Sequence, residues 1–134
     1  MSQIKIPFVR PENPLRECRV ALVTTGGVHL PGDRRFDIDN FLGDCSYREI
    51  PADADKLTWT HAYHAPDRDD LDCVFPLWTL RRLVAEGEVG ALNGRHFSFM
   101  GAIHDPGPLV EKTAPEAAGK LVEDGVDAVL LTPS

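Results

Sequence analysis

The stretch "CRVALVTTGG" at residues 18–27 decides the fold. Residues 20–23 form an unbroken apolar run, which is typical of a parallel strand buried on both faces. The small residues 24–27 that follow it allow the backbone to turn sharply. We therefore predict a central strand that ends in a tight turn.

Further strand patterns occur along the chain. Short alternating or aromatic segments are "SYREIP" (46–51), "LTWTHAYH" (57–64) and "RHFSFMG" (95–101), and "VDAVLL" (126–131) is an aliphatic run. Alternation and aromatic or β-branched content favour strands. We predict four further strands, of which the last resembles residues 20–23 in its apolarity.

Two helices are expected. The first begins near Pro76, buries a face that contains Leu77, Leu80, Leu83 and Val84, and ends by Gly87 or Gly90, as the 3.6-residue period requires. The second is indicated by Thr113 and Glu116, which have the spacing of a capping box. Its expected inward residues and the glycine that ends it are Ala117, Ala118, Leu121, Val122 and Gly125.

The alternation of strands and helices predicts an α/β fold with a mainly parallel sheet flanked by helices. We divide the chain into an irregular, proline-rich arm (1–17) and an α/β domain (18–134). A strand as apolar as residues 126–131 needs cover on both faces, so we expect an incomplete three-layer domain. The alternative is that this strand lies at the edge of a small domain.

Composition excludes several functional classes. The 14 Lys and Arg against 21 Asp and Glu give a formal charge of −7, which argues against nucleic-acid and anionic-membrane binding. No apolar run reaches the roughly 20 residues that span a bilayer, and residues 1–18 contain no signal-peptide pattern, so we expect a cytoplasmic protein. The three cysteines form no CxxC pair, so no disulfide framework or zinc site is predicted.

The turn after the first strand is a candidate ligand site, because parallel sheets bind ligands beyond the carboxyl ends of their strands. Hydroxyl and backbone N–H groups there could bind a carboxylate. The candidate substrate-binding residues are Thr25, Gly26, Gly27 and His29. The alternative is a tight turn needed only for folding, which composition alone favours.

Two residues are candidates for catalysis. Cys73 precedes the first predicted helix, whose dipole would favour a thiolate, although a free cysteine is more often a small buried hydrophobe. His61 could contact substrate or orient a proton transfer. His61 and His64, with the aspartates that follow, do not match a metal-ligand spacing, so no metal is predicted.

The sequence leaves the roles of four other polar residues open. Arg34, Arg35 and Arg48 could bind a carboxylate through their guanidinium groups, and the sequence does not choose among them. His96 is either a site residue or a hydrogen-bonded residue of the core or an interface.

Several stretches together resemble one family. They are "VALVTTGGVHLPGDRRFD", "GDCSYREIP", "LDCVFPLWTLRRLVAEGEVGALNGRHFSFMG" and "PEAAGKLVEDGVDAVLLTPS". In this order they are similar to the B subunit (selenoprotein B) of the glycine/sarcosine/betaine reductases and of D-proline reductase, from about Arg19 to Ser134.

The resemblance implies reductive C–N bond cleavage of a small amine or amino acid. It places a redox dyad, a selenocysteine or cysteine followed three positions later by a cysteine, directly after the strand that ends in "TPS". Selenocysteine is encoded by UGA, which is ordinarily a stop codon, so our hypothesis is that UGA read as a stop ends the sequence at Ser134. We therefore expect the nucleophile just after Ser134 and the chain as written to be inactive. A natural truncation and an excised domain are the alternatives.

The resemblance also implies partners. It places a pyruvoyl group on a partner subunit, no cofactor in this chain, and an external thiol-reducing system. Two alternatives remain: a non-catalytic domain that binds a small molecule or another subunit, and a free-standing thiol enzyme that uses Cys73.

Overall fold

The computed structural model describes residues 6–7, 9–60 and 71–133. The strands are β1 (Arg19–Thr24), β2 (Val28–His29), β3 (Arg48–Pro51), β4 (Thr58–Trp59), β5 (Ala91–Leu92), β6 (Arg95–Ser98) and β7 (Ala128–Thr132). The helices are α1 (Leu77–Ala85) and α2 (Ala114–Glu123). Short 3₁₀ turns lie at Leu15–Glu17 and Leu71–Cys73, and a π-helical turn at Leu109–Thr113 precedes α2.

Strand β1 is the centre of the sheet. β7 pairs with it in parallel along Val20–Thr24, so β5 and β6, also parallel to β1, lie at its other edge. β3 pairs antiparallel with β6, and β2 and β4 form a separate antiparallel pair. The predicted α/β fold with a mainly parallel sheet flanked by helices is confirmed.

The two helices cover opposite faces of β1. Val20 and Leu22 pack with Leu77 and Leu80 of α1, whereas Ala21 packs with α2 on the other face. These β1 side chains are almost completely buried, because neighbouring side chains of a strand point to opposite faces. The prediction of a strand buried on both faces is confirmed.

A break between β5 and β6 is bridged by a histidine. The backbone N–H of Leu22 donates to Nδ1 of His96 at 2.8 Å, where a backbone carbonyl would otherwise accept. Burial lowers the pKa of His96 to about 4, so the ring is neutral and its proton lies on Nε2. Nε2 has no hydrogen-bond partner within the described ranges. His96 is therefore a core residue of the sheet.

The first helix matches its prediction and the second departs from it. Leu77 and Leu80 of α1 are buried. The predicted capping box is wrong, because the chain is already helical at Thr113, whose hydroxyl donates to the carbonyl of Cys45 at 2.7 Å. In the described part of the chain, no helix is long and apolar enough to cross a bilayer.

The apolar face of α2 is narrower than the sequence predicts. Ala117 and Leu121 are buried against the sheet, whereas Ala118 and Val122 are exposed. A helix that lies over β1 and β6 makes contact along one stripe only. The second stripe therefore remains in solvent.

The predicted last strand exists but is not buried. β7 pairs with β1 through five residues, and Val129, Leu130 and Leu131 are 41, 42 and 71 % exposed. Among the described residues no strand pairs with its outer edge. The described residues therefore do not cover this strand. The incomplete three-layer domain, its alternative of an edge strand in a small domain, and the division at residue 17 all stay predictions.

Candidate functional site

The order of the parallel strands creates a topological switch point at their carboxyl ends, and we name this position between β1 and β7 the crevice. The chain passes from β1 through α1 to β5 and β6 on one side, then through α2 to β7 on the other side. The two crossovers lie on opposite faces of the sheet, so β1 and β7 flank a topological switch point. In open α/β sheets this is where ligands bind.

Three segments meet at the switch point through Thr24. Its hydroxyl lies 3.0 Å from the carbonyl of Thr132 and 3.2 Å from the carbonyl of Val74, and it accepts the N–H of Gly26 at 3.0 Å. The N–H of Thr25 also donates to the carbonyl of Thr132 at 3.1 Å. The turn after β1, the end of β7 and the segment before α1 are thereby fixed against one another.

The predicted anion donors of the turn are already used. The N–H groups of Thr25 and Gly26 make the bonds described above, and the N–H of Gly27 donates to the carbonyl of Phe99 at 2.9 Å. These amides therefore cannot bind a carboxylate unless the turn opens. The alternative of a turn needed for folding accounts for all three, and a role of the turn in substrate binding stays a prediction.

His29 is also engaged inside the protein. Its ring is 2 % exposed, with Nδ1 2.8 Å from the carbonyl of Leu30 and Nε2 2.9 Å from Oγ1 of Thr60. Because a carbonyl only accepts, Nδ1 is the donor, and Nε2 accepts from the Thr60 hydroxyl. His29 is held as a buried link between β2 and the segment after β4. Direct contact with a substrate would require both bonds to break.

Cys73 lies beside the crevice, one residue before Val74, whose carbonyl is near the Thr24 hydroxyl. Cys73 is exposed, which contradicts the interpretation as a small buried hydrophobe. The helix-dipole argument is weakened, because the carboxylate of Asp72 accepts the N–H of Trp78 at 3.0 Å and bonds the Thr79 side chain. A carboxylate already occupies the N-terminus of α1, and a catalytic role for Cys73 stays a prediction.

The remaining sequence candidates are two histidines and three arginines. His61 and His64 lie outside the described residues. The guanidinium of Arg48 donates to the carbonyls of Arg34, Arg35 and Tyr47 and lies 4.3 Å from the ring of Phe36. Arg48 therefore holds the loop before β3 and is not a free carboxylate clamp.

A row of hydroxyl groups at the strand ends was not predicted from the sequence. Thr24, Ser98 and Thr132 are the last residues of three neighbouring strands and stand in register. The hydroxyls of Ser98 and Thr132 have no hydrogen-bond partner within the described ranges. A Ser or Thr at the end of each apolar run was the available signal, but only the strand order makes these residues neighbours.

An open cleft lies on the other side of Cys73. It has a volume of about 710 Å³, and its lining residues are Pro31, Asp55, Lys56, Leu57, Leu71, Asp72 and Trp78. Asp72 lines the cleft and the carbonyl of Val74 contacts the Thr24 hydroxyl, so Cys73 lies on the segment between them. Across the described ranges, no group of three or more His, Cys, Asp or Glu residues could hold a metal ion.

Comparison with known proteins adds to this geometry. The profile of the family described as glycine/sarcosine/betaine reductase selenoprotein B matches residues 1–134. D-proline reductase subunit gamma of Acetoanaerobium sticklandii is 40 % identical over 98 % of this chain and 57 % of its own length. Glycine reductase complex component B subunit gamma of Peptoclostridium acidaminophilum is 31 % identical over 88 % of this chain and 28 % of its own length.

The chain thus spans little more than half of one relative and about a quarter of the other. No solved structure is significantly similar to it. The profile match covers the complete sequence and agrees with the resemblance carried by its strand-turn and helix segments. The chain belongs to the glycine/sarcosine/betaine reductase selenoprotein B family.

Proposed function

We propose that this chain is a component of a multi-subunit reductase of the glycine or D-proline reductase type, which cleaves a C–N bond of a small amine or amino acid. Family membership and two relatives named as reductase subunits support the proposal. The observation that carries it is the strand order, which places a topological switch point between β1 and β7. A nucleophile on the segment after β7 would stand beside the Thr24–Gly27 turn, where an α/β sheet binds its ligand.

The nucleophile we propose is a selenol or thiol on the segment after Ser134. In its ionised form it attacks the carbon of the C–N bond, and the amine leaves with the bonding electron pair. A nearby thiol then attacks the selenium or sulfur, the carbon takes a proton, and a selenenylsulfide or disulfide forms. An external thiol system supplies the two electrons that reduce this bond.

The partner subunit and this chain have different roles in the proposed reaction. A pyruvoyl group on the partner subunit would hold the substrate amine and withdraw electrons from the bond to be broken. In this chain, Thr24 fixes the start of the segment after β7 through its contact with the carbonyl of Thr132. Positioning of this kind places a nucleophile within attacking distance of its target.

A second candidate function is a non-catalytic domain that binds another subunit. The exposed aliphatic side chains of β7 favour it, because an apolar strand of a parallel sheet is normally covered. The two functions differ in what the gene encodes after Ser134 and in which partner the protein binds.

The first experiment sequences the gene and its mRNA beyond the codon for Ser134. A UGA or cysteine codon, with a cysteine codon shortly after it in the same frame, supports the reductase. Any other codon there, or no nearby cysteine, would overturn the proposed nucleophile. Purification from the native host then tests the complex: recovery of a pyruvoyl-bearing subunit supports the reductase, and its absence favours the non-catalytic domain.

A separate experiment tests the third alternative, a free-standing thiol enzyme. The rate of Cys73 alkylation is measured against pH by mass spectrometry, with Cys45, which is half-buried, as an internal comparison. A free-standing enzyme requires a fast reaction at neutral pH that Cys73→Ser abolishes. A rate like that of a small-molecule thiol eliminates this alternative.

A further inference from the structure

The loop between β2 and β3 presents apolar side chains to solvent. We name residues 38–43 the Phe41 tip. Ile38, Phe41 and Leu42 are 43, 81 and 53 % exposed. Single exposed hydrophobic residues are ordinary, but three within five positions of one loop form a patch of the kind that marks an interaction site.

The backbone of the Phe41 tip is nevertheless held firmly. The side chain of Asn40 accepts the N–H of Leu42 and donates to the carbonyl of Gly43, both at 3.1 Å. The carbonyl of Asn40 accepts the N–H of Gly43 at 3.0 Å. A loop fixed in this way loses little conformational freedom when it binds a partner.

The tip is also attached to the segment that follows β6. The carbonyl of Leu42 accepts the N–H groups of His104 and Asp105 at 3.0 and 2.9 Å, and the ring of Phe41 stacks on the His104 imidazole at 5.3 Å. Gly43 has φ +96°, and a Cβ there would lie 2.8 Å from Cα of Ile103. Since this segment leaves the carboxyl end of β6, the tip lies on the same side of the sheet as the crevice.

The charge of the loop indicates the chemistry of the partner. Asp37, Asp39 and Asp44 lie in the loop, and no lysine or arginine occurs between Phe36 and Cys45. Arg48 interacts with Asp44 at the base, and Arg34 lines the same concavity as Asp37 and Asp44. Asp39 is therefore the carboxylate that remains beside the apolar tip. The formal charge of the chain is −7. A complementary surface has an apolar pocket with lysine or arginine at its rim.

We infer that the Phe41 tip inserts into an apolar, basic-rimmed pocket of the partner subunit and so holds that subunit at the carboxyl side of the sheet. The identity of the partner rests on the proposed function, whereas the surface rests on the exposure, rigidity and charge of the loop. Aromatic anchors that are rigid before binding carry much of the affinity of protein interfaces. The tip would thus hold the pyruvoyl group of the partner subunit near the crevice.

Binding of the purified pyruvoyl-bearing subunit to the immobilised chain tests the inference. The test variant combines Phe41→Ser with Leu42→Ser, and the matched control is Val122→Ser on α2, which is 79 % exposed. We expect the Kd to rise about tenfold or more in the test variant and to stay unchanged in the control. Asp39→Lys should also raise the Kd, and added salt should weaken binding of the unchanged chain.

The outcomes separate the inference from the proposed function. If the test variant binds as tightly as the unchanged chain, the inference is overturned and the proposed function stands. If the unchanged chain does not bind the subunit, the proposed function is in doubt and the inference falls with it. If the chain forms dimers that the test variant abolishes, the tip contacts a second copy, which also overturns the inference. Thermal unfolding of each variant confirms that these side chains are not needed for folding.

Discussion

Strands β1 and β7 are neighbours with similar sequences and opposite surroundings. They pair residue by residue, and Leu22 of β1 stands opposite Leu130 of β7. Leu22 is completely buried, whereas Leu130 is 42 % exposed. The difference arises because α1 and α2 both lie over β1. An aliphatic run thus determines that a strand forms, and its neighbours in the fold determine whether it is buried.

The largest effect is expected at the turn after β1. Gly27 has φ +64°, and a Cβ there would lie 2.2 Å from the carbonyl oxygen of Thr60 and 2.6 Å from Sδ of Met100. We expect Gly27→Ala to destabilise the fold by about 4 kcal/mol, because backbone must move. Chemical denaturation measures this change.

Gly87→Ala is the matched control for this turn. Gly87 also has a positive φ, +78°, but a Cβ there would meet nothing within 4 Å. The expected cost is therefore only that of the left-handed conformation, about 1 kcal/mol. Equal losses in the two variants would contradict the close packing of the Thr24–Gly27 turn.

The second prediction compares the same substitution in β1 and in β7. Leu22→Ala opens a cavity in the core and should destabilise the protein by about 3 kcal/mol. Leu130→Ala, at the paired position, removes a side chain that is 42 % exposed and should cost no more than about 1 kcal/mol. Comparable losses in urea denaturation would show that β7 is covered in solution, for example by a second copy of the chain.

Much of the fold followed from the sequence, and the exceptions have physical causes. The period of Leu77 and Leu80 predicted α1, and residues 20–23 predicted the central strand. Thr113 and Glu116 have the spacing of a capping box, but tertiary contact overrides the pattern because the Thr113 hydroxyl bonds to Cys45. A pattern of neighbours along the chain does not reveal a partner 68 positions away.

The candidate site was less predictable than the fold. The sequence placed the ligand edge after β1 and β7, and strand order supports that location. It could not show that the amides of Thr25, Gly26 and Gly27 are used internally, because their acceptors come from distant segments. For the same reason, the contacts of the Thr24 hydroxyl with the carbonyls of Val74 and Thr132 could not be predicted.

The third expected effect is a dependence of stability on pH, caused by the buried His96 that bonds to β1. The pKa of His96 is lowered to about 4 by burial, against about 6.5 in an unfolded chain. Above pH 6.5 both states are neutral and stability is constant. As the pH falls from 6.5 to 5, only the unfolded state binds a proton, so about 2 kcal/mol of stability is lost.

The control for this pH dependence is His96→Asn, which keeps an acceptor for the N–H of Leu22 but does not titrate. Its stability should be lower at pH 7.5 and nearly flat between pH 6.5 and 5. Asp124, whose pKa is lowered by its hydrogen bond with Arg95, acts only at more acidic pH. The free energy of unfolding is measured at each pH. If it falls with pH as steeply in the variant as in the unchanged chain, another group is responsible for the titration.

The smallest effect on stability is expected at Leu131 of β7. This variant tests most directly whether β7, unlike β1, is an exposed strand. Leu131 is 71 % exposed, so Leu131→Lys should change the free energy of unfolding by less than about 0.5 kcal/mol. A lysine on an unpaired edge strand opposes pairing with other chains. We therefore expect the variant to self-associate less and to bind less hydrophobic dye than the unchanged chain, as measured by light scattering and fluorescence. If the unchanged chain is already a monomer that binds no dye, the aliphatic side chains of β7 are tolerated as a free edge, and the case for a missing cover loses its physical basis.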